Sequence, residues 1–304
     1  MISSHYKVRA GVVGAGVFGG YHAQKYAGLE GVDLVGIFDT DAERAATLAK
    51  SLNVKPYTDY KSFIEAVDVT SIAAPASNHF GLTEFALKNG VHCLVEKPLA
   101  LDNAQARGLV DVAERLGVVL QVGHQERFVA EAAGLFDQLS AVRSATFRRI
   151  CLPSGRCEDV SVTLDLMIHD LDLARQLQFG EPARIEATGD YNNAEACLWF
   201  DDGRFLRFAA SRRAEVQERK VTIDIAGKEV VFDFVSKERS DGRRVDIADS
   251  LKLGVAKFVG AVRGENPVAV SGEDGGLALE WALLIEEERS GKGSVAQTRA
   301  EAVA

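Results

Sequence analysis

Residues 8–19 read VRAGVVGAGVFG, an apolar run that leads directly into three spaced glycines, Gly14, Gly16 and Gly19. The pattern predicts a buried strand before the glycines and a helix after them. In such a turn the first glycine permits the tight bend, and the second lets a pyrophosphate approach the backbone. The third lets the helix pack on the strand. The stretch therefore predicts a dinucleotide-binding turn.

Strand and helix patterns alternate around this stretch as far as residue 123. Short apolar runs at residues 32–38, 69–74, 91–95 and 118–122 are typical of strands, and helical stretches separate them. Strands that alternate with helices imply a parallel sheet covered on both faces. We therefore expect an α/β fold in which residues 1–123 form a Rossmann domain with a doubly wound parallel sheet.

The pattern changes after residue 123. A helical stretch covers residues 161–178, and two hairpin signals follow, at Asp201-Asp202-Gly203 and Ala226-Gly227-Lys228. Such turns join antiparallel strands. We expect residues 124–304 to form a second, α+β domain with an open, mostly antiparallel sheet. Two closing helices end this region, and the sequence leaves open whether they pack back on the first domain.

Composition excludes several classes of protein. The 304 residues carry a net charge of −9, from 35 basic and 44 acidic side chains, which disfavours binding to nucleic acid or to an anionic membrane. No apolar run approaches the ~18 residues of a membrane helix. The four cysteines are scattered, with no Cys-x-x-Cys pair. We expect reduced thiols in a cytoplasmic protein and no metal site.

An acidic residue indicates which cofactor the turn binds. Asp39 ends the second predicted strand, twenty residues after the last of the three glycines. A carboxylate at this position accepts hydrogen bonds from ribose hydroxyls and repels a 2′-phosphate, and no arginine follows until Arg44, so NAD is favoured over NADP. The alternative is that Asp39 only caps the next helix, but Asp41 can serve as that cap instead. In the turn we expect the cofactor to contact Gly14, Gly16, Val17, Phe18 and Gly19.

Lys97, in the segment Glu96-Lys97-Pro98, follows the predicted strand at residues 91–95. A lysine after a strand is commonly a solvated loop residue. Here Pro98 restricts the backbone of Lys97, and Glu96 is placed to orient its ammonium group. Next to a nicotinamide, Lys97 is a candidate for proton transfer.

The helical stretch contributes a second candidate group. Asp165, His169 and Asp172 stand at i, i+4 and i+7, which places them on one polar stripe of a regular helix. A carboxylate one turn from an imidazole can fix its tautomer and raise its basicity. An ordinary surface pair is the alternative. No further histidine or cysteine completes a convincing metal-ligand set.

Taken together, the three motifs resemble the glucose–fructose oxidoreductase / inositol dehydrogenase / MocA family (Gfo/Idh/MocA) over nearly the whole chain. The motifs are Gly14-x-Gly16-x-x-Gly19, Glu96-Lys97-Pro98 and Asp165-x-x-x-His169. The resemblance implies a nicotinamide dinucleotide in the first domain and a substrate held between it and the open sheet of the second, with Lys97 and His169 as the acid/base pair. It also implies that Asp165 binds substrate or orients His169. Further cofactor contacts that it implies are Pro75, His79, Glu96 and Lys97, although Pro75 and His79 have an equally good structural interpretation.

A finer resemblance concerns the substrate. The segments at residues 123–128 and 159–170 are similar to those of the sugar-nucleotide subgroup of this family, although Val129-Ala130 stands where the subgroup usually has Asn-Pro. The resemblance implies oxidation of the C3 hydroxyl of UDP-N-acetylglucosamine to a 3-keto sugar, a precursor of the amino sugar of lipid A in lipopolysaccharide. Arg127 and Arg156 become candidate partners for the substrate diphosphate, since guanidinium groups suit phosphate oxygens. For each, an ordinary surface arginine is the alternative.

Other functions remain open at this point. The same fold serves polyol, inositol or free-sugar dehydrogenases and NAD-dependent glycosidases, and a regulatory module would bind NAD(P) without catalysis. The presence of both Lys97 and His169 favours an enzyme. We also expect a homo-oligomer, a dimer or a tetramer, because the strands of the second domain carry more aromatic residues than one core face needs. These residues are Trp199, Phe200, Phe205, Phe208, Phe232 and Phe234.

Overall fold

The structure is a computed structural model that describes residues 7–153 and 159–291. The described chain divides into two compact units. Unit 1 contains residues 7–125 and 249–276, and unit 2 contains residues 126–153, 159–248 and 277–291. The N-terminal segment of unit 1 thus ends two residues beyond the boundary predicted from sequence, and unit 1 also takes in a later segment of the chain.

Strands and helices alternate in the first segment of unit 1, as the sequence predicts. In chain order its elements are β1 (Val8–Val13), α1 (Val17–Ala27), β2 (Val32–Phe38), α2 (Ala42–Leu52), β3 (Lys55–Tyr57), α3 (Tyr60–Ile64), β4 (Val69–Ile72), α4 (Ala76–Lys88), β5 (His92–Val95), α5 (Asn103–Leu116) and β6 (Leu120–Val122). Strands β1, β4, β5 and β6 are almost entirely buried, because helices pack over the sheet, whereas the short edge strand β3 is largely exposed.

The six strands form one parallel sheet in the order β3-β2-β1-β4-β5-β6. The chain runs outward from β1 to β3 and then returns to place β4 on the other side of β1. In sheets of this kind ligands bind outside the carboxyl ends of the strands, where the order reverses. The predicted doubly wound sheet is confirmed, and its topology locates the ligand edge between β1 and β4.

Unit 2 is built on a seven-stranded sheet. Its elements are α6 (Glu126–Ala132), β7 (Val142–Ile150), a π-helical turn (Thr163–Met167), α7 (Ile168–Arg175), β8 (Arg184–Gly189), β9 (Asn193–Trp199), β10 (Phe205–Ser211), β11 (Glu218–Ile225), β12 (Lys228–Asp233) and β13 (Glu238–Arg239). The strand order is β13-β12-β11-β7-β10-β9-β8. Among the described strands of this second sheet, only the β10–β7 pairing is parallel. The prediction of a mostly antiparallel sheet is confirmed.

Both predicted hairpins are present. The β9–β10 hairpin turns at Gly203, whose φ is 85°. The β11–β12 hairpin turns at Ala226 and Gly227, whose φ values are 53° and 85°. Two central residues with positive φ match the right-handed twist of the flanking strands, which explains why this turn closes the hairpin.

The aromatic residues of this sheet divide between its two faces. Phe200, Phe208, Phe232 and Phe234 are buried within the chain. Trp199 and Phe205 are half-buried, and each lies beneath an arginine guanidinium, Arg184 at 4.8 Å and Arg207 at 5.0 Å from the ring centroid. Of the six aromatic residues expected to exceed the needs of one core face, only Trp199 and Phe205 are left partly exposed.

Two closing helices follow, α8 (Ser250–Arg263) and α9 (Gly272–Arg289). Helix α8 belongs to unit 1, where Val255, Phe258 and Val259 join the same apolar cluster as Val12 and Tyr26. Burial of Phe258 contributes roughly 2 kcal/mol to this core. Helix α9 begins in the unit 1 segment and continues in unit 2. Within the part of the chain that the structure describes, no helix is both long and apolar enough to span a membrane.

Candidate active site

The glycine-rich turn between β1 and α1 has the geometry that its spacing predicts. Gly14 has φ +97°, and a Cβ at this position would lie 2.4 Å from the carbonyl oxygen of Ala73. A Cβ on Gly19 would lie 1.7 Å from the carbonyl oxygen of Gly14. Gly16 is exposed and has open space where a Cβ would point. The turn is therefore closed on the protein side and open on the ligand side, as a pyrophosphate requires.

Asp39 lies buried beside this turn. Its carboxylate accepts hydrogen bonds from the backbone N–H of Ala15 at 2.8 Å, the backbone N–H of Asp41 at 2.9 Å and Nη2 of Arg44 at 3.1 Å. Burial opposes ionisation, but these hydrogen bonds and the charge of Arg44 outweigh it and lower the pKa of Asp39 below its ordinary value. Asp39 therefore presents a negative charge at neutral pH.

Helix α2 is capped by Asp41 and not by Asp39. The Asp41 side chain accepts from the backbone N–H groups of Glu43 and Arg44, both at 3.0 Å. Because the capping task is filled, Asp39 remains available for the ribose. A cavity of about 420 Å³ adjoins it, and its lining residues are Ala15, Asp41, Glu43, Arg44, Thr47, Leu48 and Ser51. These residues fit the adenosine end of a dinucleotide.

Lys97 is half-buried at the carboxyl end of β5, on the ligand edge of the sheet. The preceding Glu96 is 8% exposed, and its backbone N–H donates to the carbonyl of Ile72 at 2.9 Å. The backbone at Glu96 is thus tied to the end of β4, the strand next to the point where the sheet order reverses. This places Lys97 where the motif predicts it.

His79 is 1% exposed, and each of its ring nitrogens lies near a backbone carbonyl. Nδ1 is 2.7 Å from the oxygen of Pro98, and Nε2 is 2.9 Å from the oxygen of Ala74. Burial lowers the pKa of His79, and a neutral imidazole donates to one carbonyl at a time. His79 therefore joins the loops after β4 and β5. This is the structural task considered for it above, and cofactor contact stays a prediction, as it does for the exposed Pro75.

The second motif spans the π-helical turn of unit 2, which carries Asp165, and the start of α7, which carries His169. The prediction of one regular helix is wrong here, because i→i+5 bonding winds more residues into the turn and moves later residues off the stripe. Asp165 is 6% exposed and His169 is half-buried, whereas Asp172 is 1% exposed and points elsewhere. Such turns are frequent at functional sites. Asp165 and His169 remain the candidate pair.

Arg127 has a structural partner. It is 4% exposed, and its Nε donates to Oδ2 of Asp172 at 3.1 Å while its Nη2 donates to Oδ1. A fork-to-fork pair of this kind takes the Nε–Nη2 edge of the guanidinium, which is one of the two edges that could face a phosphate. The proposed contact between Arg127 and a substrate diphosphate stays a prediction with a competing role. Arg156 lies outside the described residues.

Two residues that the sequence did not single out lie at these motifs. Arg212 is 8% exposed, its Nη2 donates to the carbonyl of Val160 at 2.6 Å, and its Nη1 lies 3.7 Å from Oδ2 of Asp165. His22, on α1, is fully buried with Nε2 2.8 Å from Oε1 of Glu96. Neither has a local signal, because each partner is distant in the chain.

Comparison with known proteins identifies the family. The profile of the Gfo/Idh/MocA family, described as an oxidoreductase family with an NAD-binding Rossmann fold, matches residues 8–124. UDP-N-acetylglucosamine 3-dehydrogenase of Acidithiobacillus ferrooxidans is 33% identical, over 91% of this chain and 96% of that protein. The chain belongs to the Gfo/Idh/MocA oxidoreductase family. The resemblance read from the three motifs is thereby confirmed, and the chain is an NAD-binding dehydrogenase.

One further relative and one solved structure agree with this assignment. Myo-inositol 2-dehydrogenase of Thermotoga maritima is 27% identical, over 94% of this chain and 98% of that protein. A solved structure of the Acidithiobacillus ferrooxidans enzyme has a TM-score of 0.86 at 33% identity, and the match covers 94% of this chain and 98% of that one. Family membership thus extends over both units, beyond the residues that the family profile matches.

Proposed function

We propose that this enzyme oxidises a secondary hydroxyl of a sugar nucleotide, with the C3 hydroxyl of UDP-N-acetylglucosamine as its target. The observation that carries the proposal is the 33% identity to a UDP-N-acetylglucosamine 3-dehydrogenase along nearly the full length of both chains. The 3-keto product would suit transamination to a 3-amino sugar for lipopolysaccharide. A cytoplasmic location follows from the nucleotide substrate.

NAD is the proposed cofactor in preference to NADP. The support is the ionised Asp39 at the end of β2, whose negative charge would repel a 2′-phosphate at close range. The nearby Arg44 donates a hydrogen bond to the Asp39 carboxylate at 3.1 Å, so the positive charge of Arg44 is partly neutralised and is less able to attract a 2′-phosphate.

Lys97 and His169 are proposed as the acid/base pair. Bound NAD supplies the hydride acceptor, and the side chains of the chain are left to hold the substrate and take the hydroxyl proton. Asp165 is proposed to bind substrate or orient His169, and Arg212 supports the position of the Asp165 carboxylate from 3.7 Å. The half-buried setting of both Lys97 and His169 leaves part of each side chain accessible.

We also propose a homo-oligomer, a dimer or a tetramer. The support is that Trp199 and Phe205 stay half-buried, whereas the other four aromatic residues of the set are buried within the chain. Light scattering at micromolar concentration measures the mass. A monomeric mass would contradict the proposal.

The substrate is tested with a panel of UDP-sugars, free sugars and inositols with NAD or NADP. NADH absorbance and product mass give the readout, and one arm adds a 2-oxo acid to recycle cofactor that stays bound. The expected result is a UDP-N-acetylglucosamine product lighter by two hydrogens. Turnover confined to inositols or free sugars would refute the sugar-nucleotide assignment and favour the activity of the inositol-dehydrogenase relatives.

Lys97→Met tests the acid/base assignment. General acid/base groups contribute about 10²–10⁴-fold to rate, so kcat should fall by at least about a hundredfold while NAD affinity changes little. Most turnover retained with normal NAD binding would show that Lys97 has another role.

In the substrate panel, cleavage of a glycosidic bond without net formation of NADH would instead identify the enzyme as a glycosidase.

A further inference from the structure

A buried pair of side chains lies next to Lys97 in unit 1. His22 on α1 is 0% exposed, and its Nε2 is 2.8 Å from Oε1 of Glu96. Nδ1 of His22 is buried and has no hydrogen-bond partner among the residues that the structure describes. A proton on Nδ1 would be a buried, unsatisfied donor. The imidazole therefore carries its proton on Nε2 and donates it to the Glu96 carboxylate.

The space around this carboxylate is shaped for it. Gly123 directly follows β6, and a Cβ at this position would lie 2.9 Å from Oε1 of Glu96 and 3.1 Å from Oε2. Only glycine lets the backbone approach the carboxylate this closely. Helix α1, the end of β5 and the end of β6 thus enclose one acidic group, whose position is fixed by the donor on His22.

Glu96 is ionised despite its burial. Burial is the largest influence and opposes ionisation, but the hydrogen bond from His22 and the electrostatic influence of the neighbouring His22, Lys97 and His79 side chains outweigh it and lower the Glu96 pKa. These three titratable side chains lie on α1, on the loop of Glu96 itself and on α4. The result is a fixed negative charge on the ligand edge of the sheet.

The topology assigns this charge to one half of the cofactor. Asp39, after β2, marks the side of the adenosine ribose, and Glu96, after β5, lies on the opposite side of the point where the strand order reverses. A dinucleotide lies across both halves of such a sheet, so the nicotinamide half falls on the β4–β5 side. The oxidised nicotinamide carries a positive charge and the reduced one does not, so a fixed negative charge attracts the oxidised form selectively.

We propose that His22 is a positioning residue that holds the Glu96 carboxylate in place, and that this carboxylate makes the enzyme bind oxidised NAD more tightly than reduced NAD. The inference rests on the proposed cofactor and goes beyond it by assigning which redox form of that cofactor the site prefers. Hydride transfer to the bound cofactor is then less favourable on the enzyme than in solution, and reduced cofactor is released more readily than oxidised cofactor.

The test measures the ratio of the dissociation constants of NADH and NAD⁺ on the full chain, by fluorescence for NADH and by calorimetry for NAD⁺. Glu96→Gln keeps the shape and removes the charge, so the ratio should fall about tenfold. His22→Leu removes the donor and should lower the ratio in the same direction, whereas His22→Gln keeps a donor and should restore most of it. Asp68→Asn is the matched control, because Asp68 precedes β4 at the amino edge of the sheet, where it pairs with Arg9.

The outcomes separate this inference from the proposed cofactor. A parent protein that binds both forms, with the same ratio in Glu96→Gln, overturns the inference and leaves the cofactor assignment standing. Loss of affinity for both forms in equal proportion also overturns it, because a purely structural role moves both constants together. A parent protein that binds neither form overturns the inference and the cofactor assignment together.

Discussion

Gly16, Gly19 and Gly20 lie in or directly after the glycine-rich turn, and substitution by alanine should have a different effect at each of them. A Cβ on Gly19 would lie 1.7 Å from the backbone oxygen of Gly14, far inside any real contact, so β1 and α1 must move apart by more than 1 Å. Overpacking of a core commonly costs ~1–3 kcal/mol, and a clash with backbone belongs at the upper end. At ~2–4 °C per kcal/mol for a domain of this size, Gly19→Ala should lower Tm by about 6–12 °C.

Gly16→Ala should leave stability nearly unchanged and weaken cofactor binding. Its φ of −75° and ψ of −172° suit any residue, and a Cβ there meets nothing within 4 Å. The added methyl group would occupy the space through which a pyrophosphate approaches the backbone. We therefore expect Tm to change by less than about 2 °C, and NAD affinity to fall at least tenfold, a loss of about 1.4 kcal/mol of binding free energy.

Gly20→Ala is the control within α1. Its Cβ would make one ordinary contact, 3.8 Å from Cδ1 of Leu48, and alanine is favoured over glycine in a helix by up to ~1 kcal/mol. Tm should stay level or rise, with NAD affinity unchanged. Thermal unfolding and calorimetry of the three variants supply the measurements. An unchanged Tm for Gly19→Ala, or parental NAD affinity for Gly16→Ala, would refute the reasoning.

Three further predictions concern charged groups. Arg127→Met leaves Asp172 buried without that partner and should cost about 3–5 kcal/mol in chemical denaturation; a raised substrate KM at unchanged stability would instead support a phosphate contact. Because the folded-state pKa of Asp39 is lowered, its stabilisation is present above the ordinary value of 3.8 and is lost as pH falls further. Asp39→Asn should therefore make the free energy of unfolding depend less on pH below about pH 4, and it should reduce the ratio of NAD affinity to NADP affinity about tenfold. An unchanged pH dependence of the free energy of unfolding would contradict this. Arg212→Met should lower kcat about tenfold through a misplaced Asp165, with partial recovery in Arg212→Lys; equal loss in both variants would indicate a packing role.

Local pattern predicts much of the fold. Strands β1, β2, β4, β5 and β6 follow from apolar runs, and both hairpins follow from turn residues, because these signals act over a few neighbouring residues. Strand β7 was missed, because its polar and apolar residues give no strong run, and it is defined by long-range pairing with β10 and β11. The excess of aromatic residues in the second sheet was overestimated, since sequence does not tell which face a strand residue occupies.

Site residues divide in the same way. The three glycines, Asp39 and Lys97 could be proposed from the sequence, because each belongs to a short motif or stands at the end of a predicted strand. The polar stripe was misjudged, because the π-helical turn breaks the regular helical period on which it depended.

The sequence by itself determined the family and the glycine-rich turn and supplied the candidate residues for the chemistry, since all of these depend on short patterns of nearby residues. The tertiary structure alone decided which charge meets which partner. His22 and Glu96 are 74 residues apart in the chain, so no local sequence pattern could predict that they pair. Arg127 and Asp172 are 45 residues apart, and they pair only because the fold buries both charges together. A buried charge requires a partner, and only the packed chain supplies it.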